Sequence, residues 1–322
     1  MDIDILLGLQ AFREGGGKIL CDFFAKMTFL GELNTAIVIM AVIYWGVSRN
    51  LGTYLLMGWS GNRLVNGVLK VSACAYRPWI RDARIVPYGN AITTATGYSF
   101  PSGHTMNAST VFGGGMVRRD MPLLLRISLG VVLTLVAFSR LFLGVHTPQD
   151  VLVGAAIGCL MMGLTVELMR WVDAHPDQDW IVVCSGLALA AAVALYAAFK
   201  PYPRDFDAEG KLIVDGAKMA NDTFKGVGWC AAFLTGWILE RRFVRFSTDI
   251  PLSRKLARIV PCLILYYAVA LIAVPWLKDL IGGPAGTILS CFRQMFCVVF
   301  VFPLCFDRIE RMTAKRAAAA LQ

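Results

Sequence analysis

Long apolar runs separated by short polar breaks set the pattern of this chain. Runs of roughly 15–20 apolar residues are what a helix needs to cross hydrocarbon, and they recur from one end of the sequence to the other. The pattern predicts spans over about Asn34–Val47, His104–Val117, Leu124–Phe138, Val151–Met169, Ile181–Phe199, Gly226–Leu239, Ile259–Leu277 and Thr287–Phe306. A longer helix from Leu51 to Arg77 brings the total to about nine. Residues 1–31 differ, because Arg13, Lys18, Asp22, Lys26 and a Gly15–Gly17 run interrupt the apolar positions. One or two amphipathic helices lying in the membrane interface fit them better than a span. The expected organisation is this interfacial segment, a helical core over 32–200, an outward loop over 201–225, and additional membrane helices with a basic cytoplasmic tail over 226–322. The fold class is all-α, a multi-pass transmembrane bundle.

The Leu51–Arg77 helix carries Asn62, Arg63, Asn66 and Lys70, with Arg63, Lys70 and Arg77 recurring every seventh residue along one face. An intramembrane charge is functional by default. For Arg63, a structural ion pair with Glu167 is the preferred reading.

Composition agrees with a membrane protein: of 322 residues, 57% are hydrophobic and 16% charged. The net charge of +9 does not indicate nucleic acid, because the basic residues flank apolar runs or belong to the motifs below. Counting spans places Arg49, Arg118, Arg119, Arg170, the Arg241–Arg258 cluster and the Arg308–Arg316 tail on one side, which the positive-inside rule makes cytoplasmic. Arg77, Ser102, Arg140 and His146 then face outward. The start, Met1-Asp2-Ile3-Asp4, lacks the basic n-region and cleavage site of a removable signal peptide, and a bacterial inner-membrane protein with its site toward the periplasm or exterior is expected. The nine cysteines sit mostly inside apolar runs without metal-type spacing and read as small buried residues.

Three polar elements fall on the outward side. In the first, Lys70-x6-Arg77-Pro78, two long cationic side chains converge where proline ends a helix. In the second, Pro101-Ser102-Gly103-His104, Ser102 is an N-cap whose hydroxyl, with the Gly103 N–H, is also able to donate to a phosphate oxygen. The third is Ser139-Arg140-x5-His146-Thr147-Pro148-Gln149-Asp150. Thr147 reads as an N-cap with proline at the first helical position, so Asp150 falls one turn on and in reach of the His146 Nδ1 proton. A histidine so held, at a positive helix end, is a candidate nucleophile; helix capping alone is the competing reading. Only three histidines are present, and two lie in these motifs; His175 reads as a solvated loop residue.

In this order and spacing the three elements resemble the signature of the type 2 phosphatidic acid phosphatase superfamily, which includes lipid phosphate phosphatases, undecaprenyl pyrophosphate phosphatases, sphingosine-phosphate phosphatases, glucose-6-phosphatase and vanadium haloperoxidases. The spans after Gly226 are similar to its longer, roughly nine-span branch. The resemblance implies that His146 attacks phosphorus to form a phosphohistidine, that Asp150 orients it, and that His104 protonates the leaving oxygen and then activates water. It implies that Lys70, Arg77, Ser102, Gly103 and Arg140 hold the phosphoryl oxygens. No cofactor is expected, and no divalent metal, since three cations take the place of a metal clamp and no carboxylate cluster would hold one. The implied substrate is a phosphorylated lipid such as phosphatidic acid, a sphingoid-base phosphate or a polyprenyl pyrophosphate, with membrane lipids as surroundings and no nucleic acid. The alternatives are a phosphatase for a soluble sugar phosphate and a non-catalytic lipid-phosphate binding or transport protein. The loop Lys200-Pro-Tyr-Pro-Arg204-Asp205 onward reads as a solvated connection or as a headgroup selector.

Overall fold

The computed structural model describes residues 2–319, so Met1 and residues 320–322 of the basic tail lie outside the described residues. The described chain is helical almost throughout. In order, α1 is Asp2–Gly15, α2 Gly17–Met27, α3 Leu33–Val42 continued by a widened turn over Ile43–Val47, and α4 Arg49–Ala73. Helix α5 covers 103–117, α6 is Leu123–Phe142, α7 Pro148–Ala174, α8 Asp179–Phe199 and α9 Gly216–Phe243. Helix α10 is Leu252–Ile281, and α11 runs from Gly283 to Ala319.

Length and apolar composition qualify five of these to cross a membrane (α6, α7, α8, α10 and α11), or six if α2 and α3, bent by 59° at their junction, form one broken span. The expected nine included α4, α5 and α9. Helix α5 is too short, and α4 and α9 carry polar side chains toward one another and the site. They form the inside of the bundle, where buried polar groups find partners that lipid does not offer. Lipid-facing character belongs to the outer helices: only 11% of the α10 window is buried, and Val260, Ile264, Leu271 and Ile272 stand exposed on it.

Helix α4 is the axle. Ser48 caps its start by accepting from Leu51 N at 3.2 Å. It ends at Cys74, whose left-handed backbone (φ 46°) turns the chain out while its N–H still bonds Lys70 O. Arg77 is therefore not on the helix, as the sevenfold spacing suggested; it lies in extended backbone, the conformation that Pro78 imposes on its predecessor. Small residues let α9 approach α4 closely, with Gly67 against Thr223 and Gly226 against the Arg63 carbonyl. Trp59 and Trp229 pack across this seam with ring centroids 5.3 Å apart. Helix α11 joins the core through its own widened turn at Cys297–Val301, where the carbonyls of Val299 and Val298 accept from Tyr44 Oη at 3.1 Å and Trp45 Nε1 at 2.9 Å.

The two ends of α4 differ in charge chemistry. At its N-terminal end Arg49, Arg118, Arg170 and Arg241 surround a cavity of about 680 Å³. Acids offset them: Arg49 meets buried Glu240 at 3.0 Å, and Arg241 and Arg242 share Asp179. Glu167 pairs with Arg170 at 2.6 Å, both exposed, so the expected Arg63–Glu167 bridge does not form. The outward motifs lie at the other end.

Two boundaries move. Helix α9 starts at Gly216, where Asp215 caps it by accepting from Ala217 N, so the connection is 200–215 and not 201–225. That connection is pinned: the Tyr76 hydroxyl donates to the Asp205 carboxylate, Phe206 bridges to Leu212, and Tyr202 packs under Gly216. The N-terminal helices also pack one face against the bundle. Phe24 packs on Phe142 at 4.5 Å and Phe138 at 5.2 Å, and Arg13 is buried.

Candidate active site

The third motif folds as its sequence dictates. Thr147 Oγ1 accepts from Asp150 N at 3.3 Å while Asp150 Oδ2 accepts from Thr147 N at 2.8 Å, closing a reciprocal cap with Pro148 at the first helical position of α7. The same Oδ2 lies 3.2 Å from His146 Nδ1 and 2.5 Å from Ser99 Oγ. Arg77 Nη1 lies across the ring, 2.9 Å from Nε2 and 3.5 Å from Nδ1. The Asp150 carboxylate only accepts, so it favours the proton on Nδ1 and leaves Nε2 with its lone pair.

Arg77 is held by the irregular stretch before the second motif: its guanidinium donates to the carbonyls of Gly97 and Thr96, both at 3.1 Å, and of Val145 at 2.9 Å. Lys70 Nζ donates to Tyr98 O at 3.0 Å. Arg140 is fully buried near the end of α6, where Nη1 donates to Thr28 Oγ1, while its Nε and Nη2 have no partner among the described residues. Carbonyls, a hydroxyl and an imidazole fix these three cations without neutralising them. A buried positive cluster of this kind is built for an anion.

The second motif meets the third directly, since Ser102 N donates to Asp150 O at 2.9 Å. Ser102 caps α5, its hydroxyl accepting from Thr105 Oγ1 at 3.0 Å, which leaves its own proton to donate. His104 Nε2 is buried and without a partner among the described residues. Lys70, Arg77, Gly103, His104 and His146 line one cavity of about 190 Å³, whereas Ser102, Arg140 and Asp150 stand behind that lining.

Three contributors escaped the reading of the sequence. Ser99 shares Asp150 with His146, and Thr28 steers Arg140 from the segment expected to lie apart in the interface. Arg13 of α1 is the third: it donates to Phe142 O at 3.0 Å and Val86 O at 2.7 Å, clamping the turn that leads from α6 to His146. That turn needs the left-handed backbone of Gly144 (φ 72°). Proximity of Ser99 to the second motif was the available signal; Thr28 and Arg13 had none. Loss of two charge-assisted bonds predicts that Arg13→Met lowers stability by about 2–4 kcal/mol. Thermal unfolding in detergent checks this, and an unchanged midpoint would show that the clamp is dispensable.

Buried cations and two histidines thus gather around one cavity of a bundle whose outer helices are long and apolar enough to cross a membrane. Two family models match it: the PAP2 superfamily over residues 34–173, and the PAP2 superfamily phosphatase transmembrane extension over residues 224–316. The chain belongs to the PAP2 superfamily. Among curated relatives it is similar to phosphatidylglycerophosphatase B of Bacillus subtilis (35% identical over 35% of this chain and 55% of the relative). It is also similar to mouse sphingosine-1-phosphate phosphatase 2 (27% identical, 52% and 49%) and to lipid phosphate phosphatase delta of Arabidopsis thaliana (22%, 53% and 43%). The chain thus spans about half the length of the curated relatives it matches. The crystal structure of a transmembrane PAP2-type phosphatidylglycerolphosphate phosphatase from Bacillus subtilis is 28% identical, with a TM-score of 0.44, covering 53% of this chain and 85% of that one.

Proposed function

We propose that the protein is an integral-membrane lipid phosphate phosphatase that works through a phosphohistidine. The observation that carries this reading is His146, held by Asp150 at Nδ1 with Arg77 across its ring, in the lining of a buried cationic cavity. On substrate binding, phosphoryl oxygens would take the donors of Lys70, Arg77 and Arg140, the Ser102 hydroxyl and the Gly103 N–H. Arg77 then turns from Nε2 to the phosphate. Nε2 attacks phosphorus as the P–O bond to the lipid breaks, and the departing oxygen takes a proton from His104. Water next gives a proton to His104 and attacks phosphorus, and the P–N bond breaks as the new P–O bond forms, releasing phosphate and free His146. No carboxylate bonds His104 Nε2 among the described residues, so the substrate phosphate itself is the anion that would hold its proton.

The relatives named for phosphatidylglycerophosphate and sphingosine 1-phosphate support a lipid substrate. So does a site at the end of a bundle, where a headgroup enters while its tails stay in the bilayer. The arginine-rich end of α4 lies opposite the site, which supports a site facing the periplasm or exterior. Metal independence is expected, since no group of three His, Cys, Asp or Glu able to hold a metal occurs among the described residues.

The test is phosphate release by the purified protein in detergent with EDTA, across phosphatidic acid, a sphingoid-base phosphate, a polyprenyl pyrophosphate and glucose 6-phosphate. Release from the lipids supports the reading. Preference for glucose 6-phosphate would replace it with the sugar-phosphate alternative, and no release despite lipid-phosphate binding would replace it with a binding protein.

The pH profile is a second check. Burial first, and the Arg77 charge second, hold His146 well below the ordinary value of 6.5 against the opposing pull of Asp150. His146 is therefore free base at neutral pH, and activity through it is lost only as pH falls through that lowered value. Burial pulls Arg77 down to about 10, so it remains cationic at neutral pH. Burial first, and the Arg140 charge second, hold His104 well below 6.5 in the free protein as well, so the bell is expected in kcat, with an acid limb below pH 6.5 and a basic limb that follows loss of the His104 proton held by the bound phosphate. An acid limb centred above pH 7 would contradict this assignment.

A further inference from the structure

The first turns of α9 wall two cavities, one on each side. Met219, Asp222 and Thr223 face the histidines, whereas Gly216, Ala217, Ala220, Asn221 and Phe224 line a second, larger cavity of about 980 Å³. That spacing of three and four residues is one helical face, and the catalytic lining is the opposite one. The second cavity is completed by the end of α8, the connection over 200–215 and the junction of α10 with α11. It shares no lining residue with the catalytic cavity.

Its chemistry is divided. Ala197, Tyr202, Ala220 and Phe224 give it an apolar floor. Lys200 and Lys278 stand in its lining at the ends of α8 and α10, and neither meets a carboxylate among the described residues. Lys200 Nζ donates to Cys74 Sγ and Pro201 O, both at 3.3 Å, and lies 5.1 Å from the centroid of the Tyr202 ring. The carboxylate in the lining, Asp215, is committed to the start of α9, where Oδ1 accepts from the N–H groups of Ala217 and Lys218. Thr287 donates to Asn221 Oδ1, which leaves the Asn221 amide nitrogen to donate from the same wall. Cationic and amide donors thus lie beside apolar surface, a combination that a soluble anion would only half use.

Position selects the occupant. The aromatic side chains close to the two lysines in sequence, Phe199 and Trp276, stand exposed. Aromatic residues and lysines at the ends of apolar helices mark the level where hydrocarbon gives way to headgroups. A lipid lying there sets its phosphate against the lysines and its glycerol and first methylenes against Tyr202 and Phe224.

We infer that this cavity is a binding site for an anionic phospholipid of the adjacent leaflet, separate from the catalytic cavity, and that the bound lipid braces α9 against α8 and the junction of α10 with α11. The ligand is held as a phosphodiester and is not cleaved. The site does not depend on turnover, so it stands or falls apart from the phosphatase reading.

The experiment measures the thermal unfolding midpoint in mixed micelles holding either phosphatidylglycerol or phosphatidylcholine with the same chains. Phosphatidylglycerol is expected to raise the wild-type midpoint by about 3 °C or more over phosphatidylcholine. Lys200→Gln combined with Lys278→Gln removes that difference. Ala217→Trp fills the cavity from an exposed position while keeping both lysines, and it removes the difference as well. Lys211→Gln takes the same charge from the connection outside the cavity lining and retains it. The deacylated headgroup, glycerophosphoglycerol, leaves the midpoint unchanged at matched concentration, because it cannot use the apolar floor. Stabilisation by the free headgroup equal to that by the lipid would assign the site to a soluble phosphodiester and overturn the lipid. No difference in wild type, or a difference that survives in either folded cavity variant, overturns the site. An equal loss in Lys211→Gln overturns it too, by assigning the effect to surface charge alone.

Discussion

Replacing His146 with alanine is expected to remove phosphate release almost completely, by roughly 10⁴-fold or more in kcat, while leaving the bundle folded. His146 is the group in the cavity whose Nδ1 is held by a carboxylate and whose Nε2 is left to attack, and alanine leaves no atom to accept the phosphoryl group. The fold should survive, because Asp150 keeps its bonds to Thr147 N and Ser99 Oγ, and Arg77 keeps three backbone carbonyls. A folded variant that retains more than a few per cent of wild-type release in EDTA would show that phosphate leaves by direct attack of water and would sink the phosphohistidine route.

Asp150→Asn should cost about 10³–10⁴-fold in kcat, for a reason of proton position and not of shape. All three donors, Thr147 N, Ser99 Oγ and His146 Nδ1, converge on one oxygen, Oδ2. Asparagine must aim either its oxygen or its amide nitrogen at that point. With oxygen there, the capping bonds persist but the negative charge that stabilises an imidazolium-like nucleophile is gone. With nitrogen there, the donors clash, and His146 is driven to the tautomer whose proton blocks Nε2. Ser99→Ala removes one donor and leaves the charge, so its loss should be much smaller. Steady-state kinetics on one lipid phosphate, alongside unfolding midpoints, would rank the three variants. Near-normal turnover in Asp150→Asn would mean that the carboxylate serves the helix cap alone.

Much of this was legible because the informative signals were local. Thr147-Pro148-Gln149-Asp150 writes its own helix start, Ser102 writes another, and a cap residue three positions from its partner needs no knowledge of the rest of the chain. The apolar runs likewise located the outer helices. What failed depended on tertiary contact. Periodicity extended α4 to Arg77, but a left-handed Cys74 and the extended residue before Pro78 end it sooner, and that shift brings Arg77 onto His146. Arg63 was paired with Glu167 across a bundle whose geometry was unknown; Glu167 is exposed and pairs with Arg170. Helices α4 and α9 looked like spans of ordinary kind, although their polar faces are the walls of a cavity. Arg13, Thr28 and Ser99 act from three different segments, and no spacing rule joins residues that meet only after the chain has folded.

The pinned connection over 200–215 has a mechanical meaning. Its first half is fastened through Asp205 to Tyr76, the neighbour of Arg77, and through Tyr202 to Gly216 in the first turn of α9. Further along that helix Met219 fills the space beside Gly97, whose carbonyl holds Arg77. Chain, helix and Arg77 therefore form a closed truss. A segment fastened in this way behaves as a strut and not as a flap. It sets how far the wall built from the extension stands from the histidines, so the gauge of the cavity is a matter of its length, and its exposed side chains are free to drift.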